Sequence, residues 1–383
     1  MFLALRDLRF ATGRFALMGS VVALISLLLV MLSGLTAGLG GQNTAAIDRL
    51  GEQGVQRLVF GGAADQEPTA SFTQSEFTVA QRDAWAATDG VASVEPLGVG
   101  QGRAIGLEHP VGTDPQGRAD VSGEPTTGVA TTAFIGLAPG GSDAPAGVEP
   151  GQIVLSQDVA DSLHAQAGDA VAVSGFVYTV ADVVPTEYYS HSPVTWLTLE
   201  DWNAISHTAD DAVLGTVGLV RFDADADVDA VAAAGDDAAG TVAETVKGSY
   251  AALPSYRSEN GSLMTMQGFL YGISALVVIA FLSIWTVQRT RDIAVLKALG
   301  GSNGWVLKDS LAQAAFVLVG GVAVGTGLAA VVGAFAGRAV PFELSWATTA
   351  VPAAGVLVLG MLAAVIAVYR VTRIDPLVAL GGN

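Results

Sequence analysis

The side chains able to do chemistry are few, and their spacing does not suit an enzyme. His109, His164, His191 and His207 fall far apart, without the spacing of a metal-ligand set. Cysteine is absent, which excludes a thiol nucleophile and a thiolate-bound metal. No G-x-x-x-x-G-K-[ST] phosphate loop occurs, so the chain carries no ATPase site of that kind. A Ser-His-Asp set can be assembled only on paper, from many Ser and Asp with nothing in the spacing to select them. Two groups stand out instead. Glu259 is followed by Met264 and Met266 where a long uncharged run begins, and Met31 lies in another such run. Further on, in R-T-R-D-I-A-V-L-K-A-L-G-G, Ile293, Leu296 and Leu299 can share one face of a short helix, with Arg291, Asp292 and Lys297 at its surface and Gly300 and Gly301 to stop it. That is a rigid apolar knob against which another protein can dock. The alternative is a loop whose charges only set topology.

The elements that must position these residues follow from where charge is absent. Half of the chain is hydrophobic, 14% is charged, and yet the formal net charge is −18; mean hydropathy is +0.50. The acids are concentrated: residues 48–259 hold 31 Asp or Glu against 8 Lys or Arg. Residues 1–14, 288–309 and the tail from Arg370 together hold 9 bases and 4 acids. Basic flanks on one side and an acidic block on the other form the positive-inside pattern, which predicts a multi-pass protein of the cell membrane with both termini and the 288–309 loop cytoplasmic. No charge interrupts 15–47, 262–287, 310–337 or 344–369, and each run is long enough to cross a bilayer core. The first is too long for a signal-peptide h-region.

The expected organisation is an amphipathic interfacial helix at 1–14 and a first span at 15–40, then an extracytoplasmic α+β domain at 41–260. A second span at 261–287, a cytoplasmic loop at 288–309, a third span at 310–337, an outer loop at 338–345, a fourth span at 346–369 and a cytoplasmic tail at 370–383 complete it. The fold class is thus integral membrane α-helical, four transmembrane helices plus the amphipathic one, with a large domain inserted between the first and second. Within that domain V-Q-R-L-V-F and A-T-T-A-F-I-G-L read as strands. P-G-Q-I-V-L-S predicts a strand, Gln157–Gln166 a short helix, and the segment from Ala167 a hairpin entered through Gly168 and Asp169. The Asp-rich stretch 223–240 reads as a solvated helix or loop, with a cation site as the other possibility. Gly-rich runs such as G-G-V-A-V-G-T-G-L at 320–328 suit close helix packing.

With this layout in place, T-R-D-I-A-V-L-K-A-L-G-G at 290–301 resembles the signature after the second helix of the FtsX-like permeases, the MacB-type membrane subunits of ABC transporters. The tail V-T-R-I-D-P-L-V-A-L at 371–380 resembles their closing signature. The resemblance implies an ABC permease subunit without its own ATPase site. It works as a homodimer or pseudo-dimer in the membrane lipid with a cytoplasmic ATPase subunit that binds the ATP; no nucleic acid is a partner. Arg291, Asp292, Ile293, Leu296 and Leu299 become its coupling helix. L-P-S-Y-R-S-E-N-G-S-L-M-T-M-Q at 253–267, H-S-P-V-T-W at 191–196 and R-D-L-R-F at 6–10 further resemble the heme-exporting permeases of that family, usually called HrtB.

On that resemblance the cargo is heme, with no cofactor of the chain's own. Glu259 at the outer mouth of the second span and Met31 in the outer half of the first are axial-ligand candidates, Met264 and Met266 lie nearby, and Phe269 and Tyr271 can face a flat macrocycle. Other readings stand beside these. Methionine also fills apolar helix contacts, and an acid at a helix start is favoured by the helix dipole. Family members also export lipoproteins or peptides, or transmit force to an extracellular hydrolase.

Overall fold

The computed structural model describes residues 12–62, 67–114, 117–139, 147–206, 212–288 and 303–372. The interfacial helix expected at 1–14 lies almost wholly outside them, as do the proposed coupling residues Arg291, Asp292, Ile293, Leu296 and Leu299 and the closing motif from 373 onward. The chain divides into two compact units: one is Gly40–Glu259, and the other is built from the chain on either side of it.

Among the described residues, four helices are long and apolar enough to cross a membrane. They are α1 (Thr12–Glu52), α6 (Pro254–Gln288), α7 (Asn303–Ala336) and α8 (Trp346–Thr372). Helix α1 does not end near residue 40, where the first span was expected to stop, because nothing there breaks it. Gly38, Gly40 and Gly41 are tolerated inside a helix, and Ala46, Ile47 and Leu50 are buried in the core of the inserted unit. In the helical unit, Met18, Val22, Ile25 and Leu29 pack with Val278, Leu282, Leu318, Val322 and Ala364. Glycines set the closest approaches. A Cβ on Gly325 would lie 2.2 Å from the carbonyl oxygen of Ala23, and one on Gly321 would lie 2.9 Å from that of Gly19, so α1 and α7 meet backbone to backbone there. Among the described residues nearly every exposed large hydrophobic side chain belongs to these helices, Val129 being the one from the inserted unit. That distribution suits lipid around one unit and water around the other.

The inserted unit is a mixed α/β domain with twelve strands among its described residues. They are β1 (Arg57–Phe60), β2 (Phe77–Thr78), β3 (Val91–Leu107), β4 (Thr126–Leu137), β5 (Gln152–Ser156), β6 (Ala170–Val173), β7 (Phe176–Val184), β8 (Tyr188–Tyr189), β9 (Ser192–Thr198), β10 (Val213–Gly215), β11 (Val217–Phe222) and β12 (Val242–Thr245). The helices between them are α2 (Val79–Ala86), α3 (Gln157–Leu163), α4 (Leu199–Ser206) and α5 (Val228–Ala239). The main sheet runs β12-β1-β11-β3-β4-β9-β5-β7-β6, and β6 pairs back onto β3. The long strand β3 therefore serves twice. Val91–Leu97 pairs with β11 in an open sheet, and Gly98–Leu107 pairs with β4 and β6 in a closed ring of strands.

Alternation along the strands sorts the side chains into separate cores. Leu58, Phe60 and Leu219 pack on one face with Trp196, while their neighbours Val59 and Val220 pack on the other with Trp85 of α2 and Ala232 of α5. The ring encloses Phe134, Leu155, Leu163, Val173, Tyr178 and Trp202. Gly168 adopts φ +95° at the turn before β6, as the hairpin requires. The Asp-rich stretch forms α5, with Asp227 accepting from Ala230 N–H as its N-cap. No group of three or more His, Asp or Glu fit to hold a metal ion occurs among the described residues.

Candidate functional site

Pro254 opens α6, where a proline costs no hydrogen bond. Glu259 is thus the sixth helical residue, beyond the first turn in which the dipole favours an acid. What holds it is a histidine. The β8–β9 turn places Ser190 at φ 48° and His191 at φ 63°, two successive left-handed residues of the kind a tight hairpin needs. Non-glycine residues resist that conformation, and the turn is secured from α1: Ser190 N–H donates to the Asn43 carbonyl at 3.1 Å and His191 N–H to that of Gln42 at 2.9 Å.

So fixed, His191 Nε2 lies 2.9 Å from both Glu259 Oε1 and Oε2. Asn43 Nδ2 is 3.0 Å from the same nitrogen and donates to Glu259 Oε2 at 3.3 Å. Ser255 Oγ donates to Asn43 Oδ1 at 2.6 Å and lies 3.0 Å from Ser190 Oγ. One ring nitrogen cannot both donate to the carboxylate and accept from the amide, so the tautomer of His191 decides which bond forms. The side chains of His191 and Glu259 remain 30% and 39% exposed, open to an incoming ligand.

The rest of the polar end of α1 is structural. Tyr250 donates its hydroxyl to Asp48, which also accepts from Thr44 Oγ1 at 3.0 Å, and burial together with that bond pushes the phenol up from its ordinary range. Arg49 Nε approaches Glu187 Oε1 at 3.6 Å, and its guanidinium lies 5.8 Å from the ring centre of Trp196. Burial raises the Glu187 carboxyl, with Glu52 adding to the rise and Arg49 opposing it.

Within the helical unit, Met31 and Met266 come together. They line a cavity of about 590 Å³ with Leu28, Leu32 and Leu35 of α1, Phe269 and Leu270 of α6, and Ala336, Val340 and Phe342. Ligand pockets fall at about 300–1,000 Å³. A second pocket, of about 520 Å³, lies between α1 and α7, but its lining of small and aliphatic residues includes no thioether. Met266 is 54% exposed and fills no packed core; Met264, 60% exposed, does not line the cavity. Phe269 faces the cavity, whereas the Tyr271 ring sits against Gly355 of α8, where a Cβ would meet it at 2.8 Å. Glu259 belongs to the inserted unit and the three methionines to the helical one.

The sequence did not disclose His191 and Asn43 as Glu259's partners. They stand 68 and 216 positions away from it, so the pairing exists only in the fold. The positive-φ turn that aims the imidazole has no Asn-Gly signal to announce it.

Among the described residues, four bilayer-length helices and one large α/β domain inserted after the first define the architecture of a multi-pass membrane protein. More particularly, residues 264–376 match the family of the FtsX-like permease C-terminal domain. Over 130 residues the chain is 29% identical to a Staphylococcus haemolyticus protein that bears the name hemin transport system permease protein HrtB, a match covering 34% of this chain and 37% of that one. It is also 29% identical over 126 residues to the ABC transporter permease YknZ of Bacillus subtilis, covering 31% of each. The matches thus span only about a third of the length of these relatives. Among solved structures, the extracellular domain of the noncanonic ABC-type transporter YknZ aligns at 15% identity and a TM-score of 0.33, over 49% of this chain and 95% of that one.

Proposed function

We propose that the protein is the permease subunit of an ABC-type efflux transporter and that its cargo is heme, exported with ATP hydrolysed by a partner ATPase. The observation that carries this reading is the apolar cavity that gathers Met31 and Met266 in the helical unit. Thioethers are soft axial ligands for heme iron, and the wholly apolar lining around them suits the faces of a macrocycle. Support also comes from the FtsX-like domain and from the name borne by the staphylococcal relative. Glu259, partly exposed and held by His191 rather than sealed in a core, serves as a capture carboxylate. The protein acts as a homodimer; both termini are cytoplasmic and the inserted domain lies outside, the arrangement that its charge distribution favours. Arg291, Asp292, Ile293, Leu296 and Leu299 form the coupling helix that meets the ATPase.

Hemin titration of the purified full chain tests the cargo. A saturable Soret band is expected, weakened in Met31→Ala and in Glu259→Ala. Absence of the band in the wild type overturns the heme assignment, and an unchanged band in both variants overturns the residues.

A further inference from the structure

Phe342 lies in the connection between α7 and α8, and three glycines make room for it. A Cβ on Gly34 would lie 2.3 Å from Phe342 Cζ, one on Gly333 would lie 2.5 Å from Cε1, and one on Gly38 would lie 2.3 Å from the Pro341 carbonyl oxygen. Nonbonded atoms do not approach so closely, so any larger residue at these places must displace the ring or the chain that carries it. The distal edge of the ring therefore sits in a notch cut into α1 and α7. The chain is tied beyond it as well. Glu343 N–H donates to the Gly34 carbonyl at 3.0 Å, Thr348 Oγ1 to the Glu343 carbonyl at 3.0 Å, and Ser345 and Thr348 cap one another at 2.9 and 3.2 Å. Phe342 also lines the cavity that holds Met31 and Met266.

We propose that Phe342 is the specificity-determining wall of that cavity: a wedge, fixed by Gly34, Gly38 and Gly333, that limits the bulk of the planar apolar molecule admitted beside Met31 and Met266. This rests on the cavity being the cargo site. An aromatic ring locked at its far edge cannot swing aside for a larger ligand, as a free side chain can, so the cavity's extent on that side is set by the notch. Removing the ring enlarges it. Filling the notch drives the ring out of its seat and into the space the ligand uses.

The test uses the full chain in lipid nanodiscs with three probes: hemin, an iron porphyrin bearing four meso-phenyl groups, and a neutral solvatochromic dye read against empty nanodiscs. Phe342→Ala is expected to shift the ratio of affinities toward the bulkier porphyrin by about tenfold, the scale on which pocket shape discriminates, and Phe342→Leu by less. Gly34→Ala weakens both porphyrins, and Gly34→Ala/Phe342→Ala recovers the bulkier one to the level of Phe342→Ala. Gly327→Ala, whose added Cβ meets nothing within 4 Å, changes neither. An unchanged ratio in Phe342→Ala and Phe342→Leu overturns the wedge, as does a double variant no better than Gly34→Ala. If porphyrins bind without any dependence on Phe342, the wedge fails and the heme reading stands. If only the dye binds, and binds in a Phe342-dependent way, the heme reading fails and the wedge stands. If no probe binds, both fall.

Discussion

Replacing His191 tests whether Glu259 is held in reserve. The imidazole nitrogen contacts both carboxylate oxygens at 2.9 Å, but a single nitrogen makes one three-centre interaction rather than two bonds. Both side chains are about a third exposed, so water screens the pair. Exposed pairs of this kind contribute about 0.2–1 kcal/mol. A ligand that takes Glu259 must first break the contact, and removing the histidine removes that cost. His191→Asn keeps a residue that tolerates φ 63° while being too short to span to the carboxylate. At about 1.4 kcal/mol per factor of ten, up to 1 kcal/mol corresponds to hemin binding tightened by up to about fivefold. Titration by Soret absorbance reads the change, with Glu259→Gln as the opposing control. Weaker binding, or a displaced Soret maximum, refutes the reasoning: His191 then orients the carboxylate or meets the iron itself.

Other consequences can be measured on the same protein. If the proposed coupling helix meets an ATPase, Leu296→Asp is expected to uncouple ATP hydrolysis from export, and unchanged transport would overturn that proposal. Arg49→Ala leaves the partly buried Glu187 without its counter-charge and should lower the stability of the inserted domain by about 1–2 kcal/mol, read by denaturation of the purified chain. Burial raises the carboxyls of Glu187, Asp201 and Asp236 above their ordinary values. Groups raised in the folded state give a contribution that is full below the unfolded pKa and lost as pH rises through the folded one. Thermal unfolding followed by tryptophan fluorescence should therefore show these three stabilising the inserted domain as pH falls from neutral toward about 4. Asp201 takes both of its bonds, from Thr198 Oγ1 at 2.6 Å and Gly151 N–H at 3.1 Å, on one oxygen. Asp201→Asn can keep both, so it should flatten that slope and raise the neutral-pH Tm by about 1–2 °C; a lowered Tm would count against the burial argument.

The helical unit was legible because lipid imposes a simple code: long runs without charge read as spans, and the structure places helices over all four. The hairpin after Gly168 and the strands at 57–60 and 130–137 were legible because their alternation and turn residues are local. The pairing of β3 with β11 at one end and with β4 and β6 at the other was not, since it joins segments from Val91 to Phe222 that no local pattern connects. Glu259 could be picked out as a lone acid before an apolar run, but its reason for being there could not. The dipole explanation fails on a helix that starts five residues earlier, and the histidine contact depends on a strained turn. The seat of Phe342 was equally hidden, because glycines in α1 and α7 look alike whether they meet lipid, a helix or a ring.

The dual service of β3 bears on what the sequence of this domain can tolerate. Its 17 residues are counted off against β11 at one end and against two strands at the other, with no loop between to absorb a change in length. Because successive residues point to opposite faces, one residue inserted near Gly98 would turn every later side chain of the strand inside out, emptying Ala104 from the ring's interior and sending Ile105 inward. Substitutions in β3 can be met by repacking, but an insertion or deletion of one residue keeps the facing of the strand only if a bulge absorbs it, as the register shift between Gly106 and Leu107 does at its end. Length variation among descendants of this chain should accumulate in the connections, such as 108–125, and be rare in this strand.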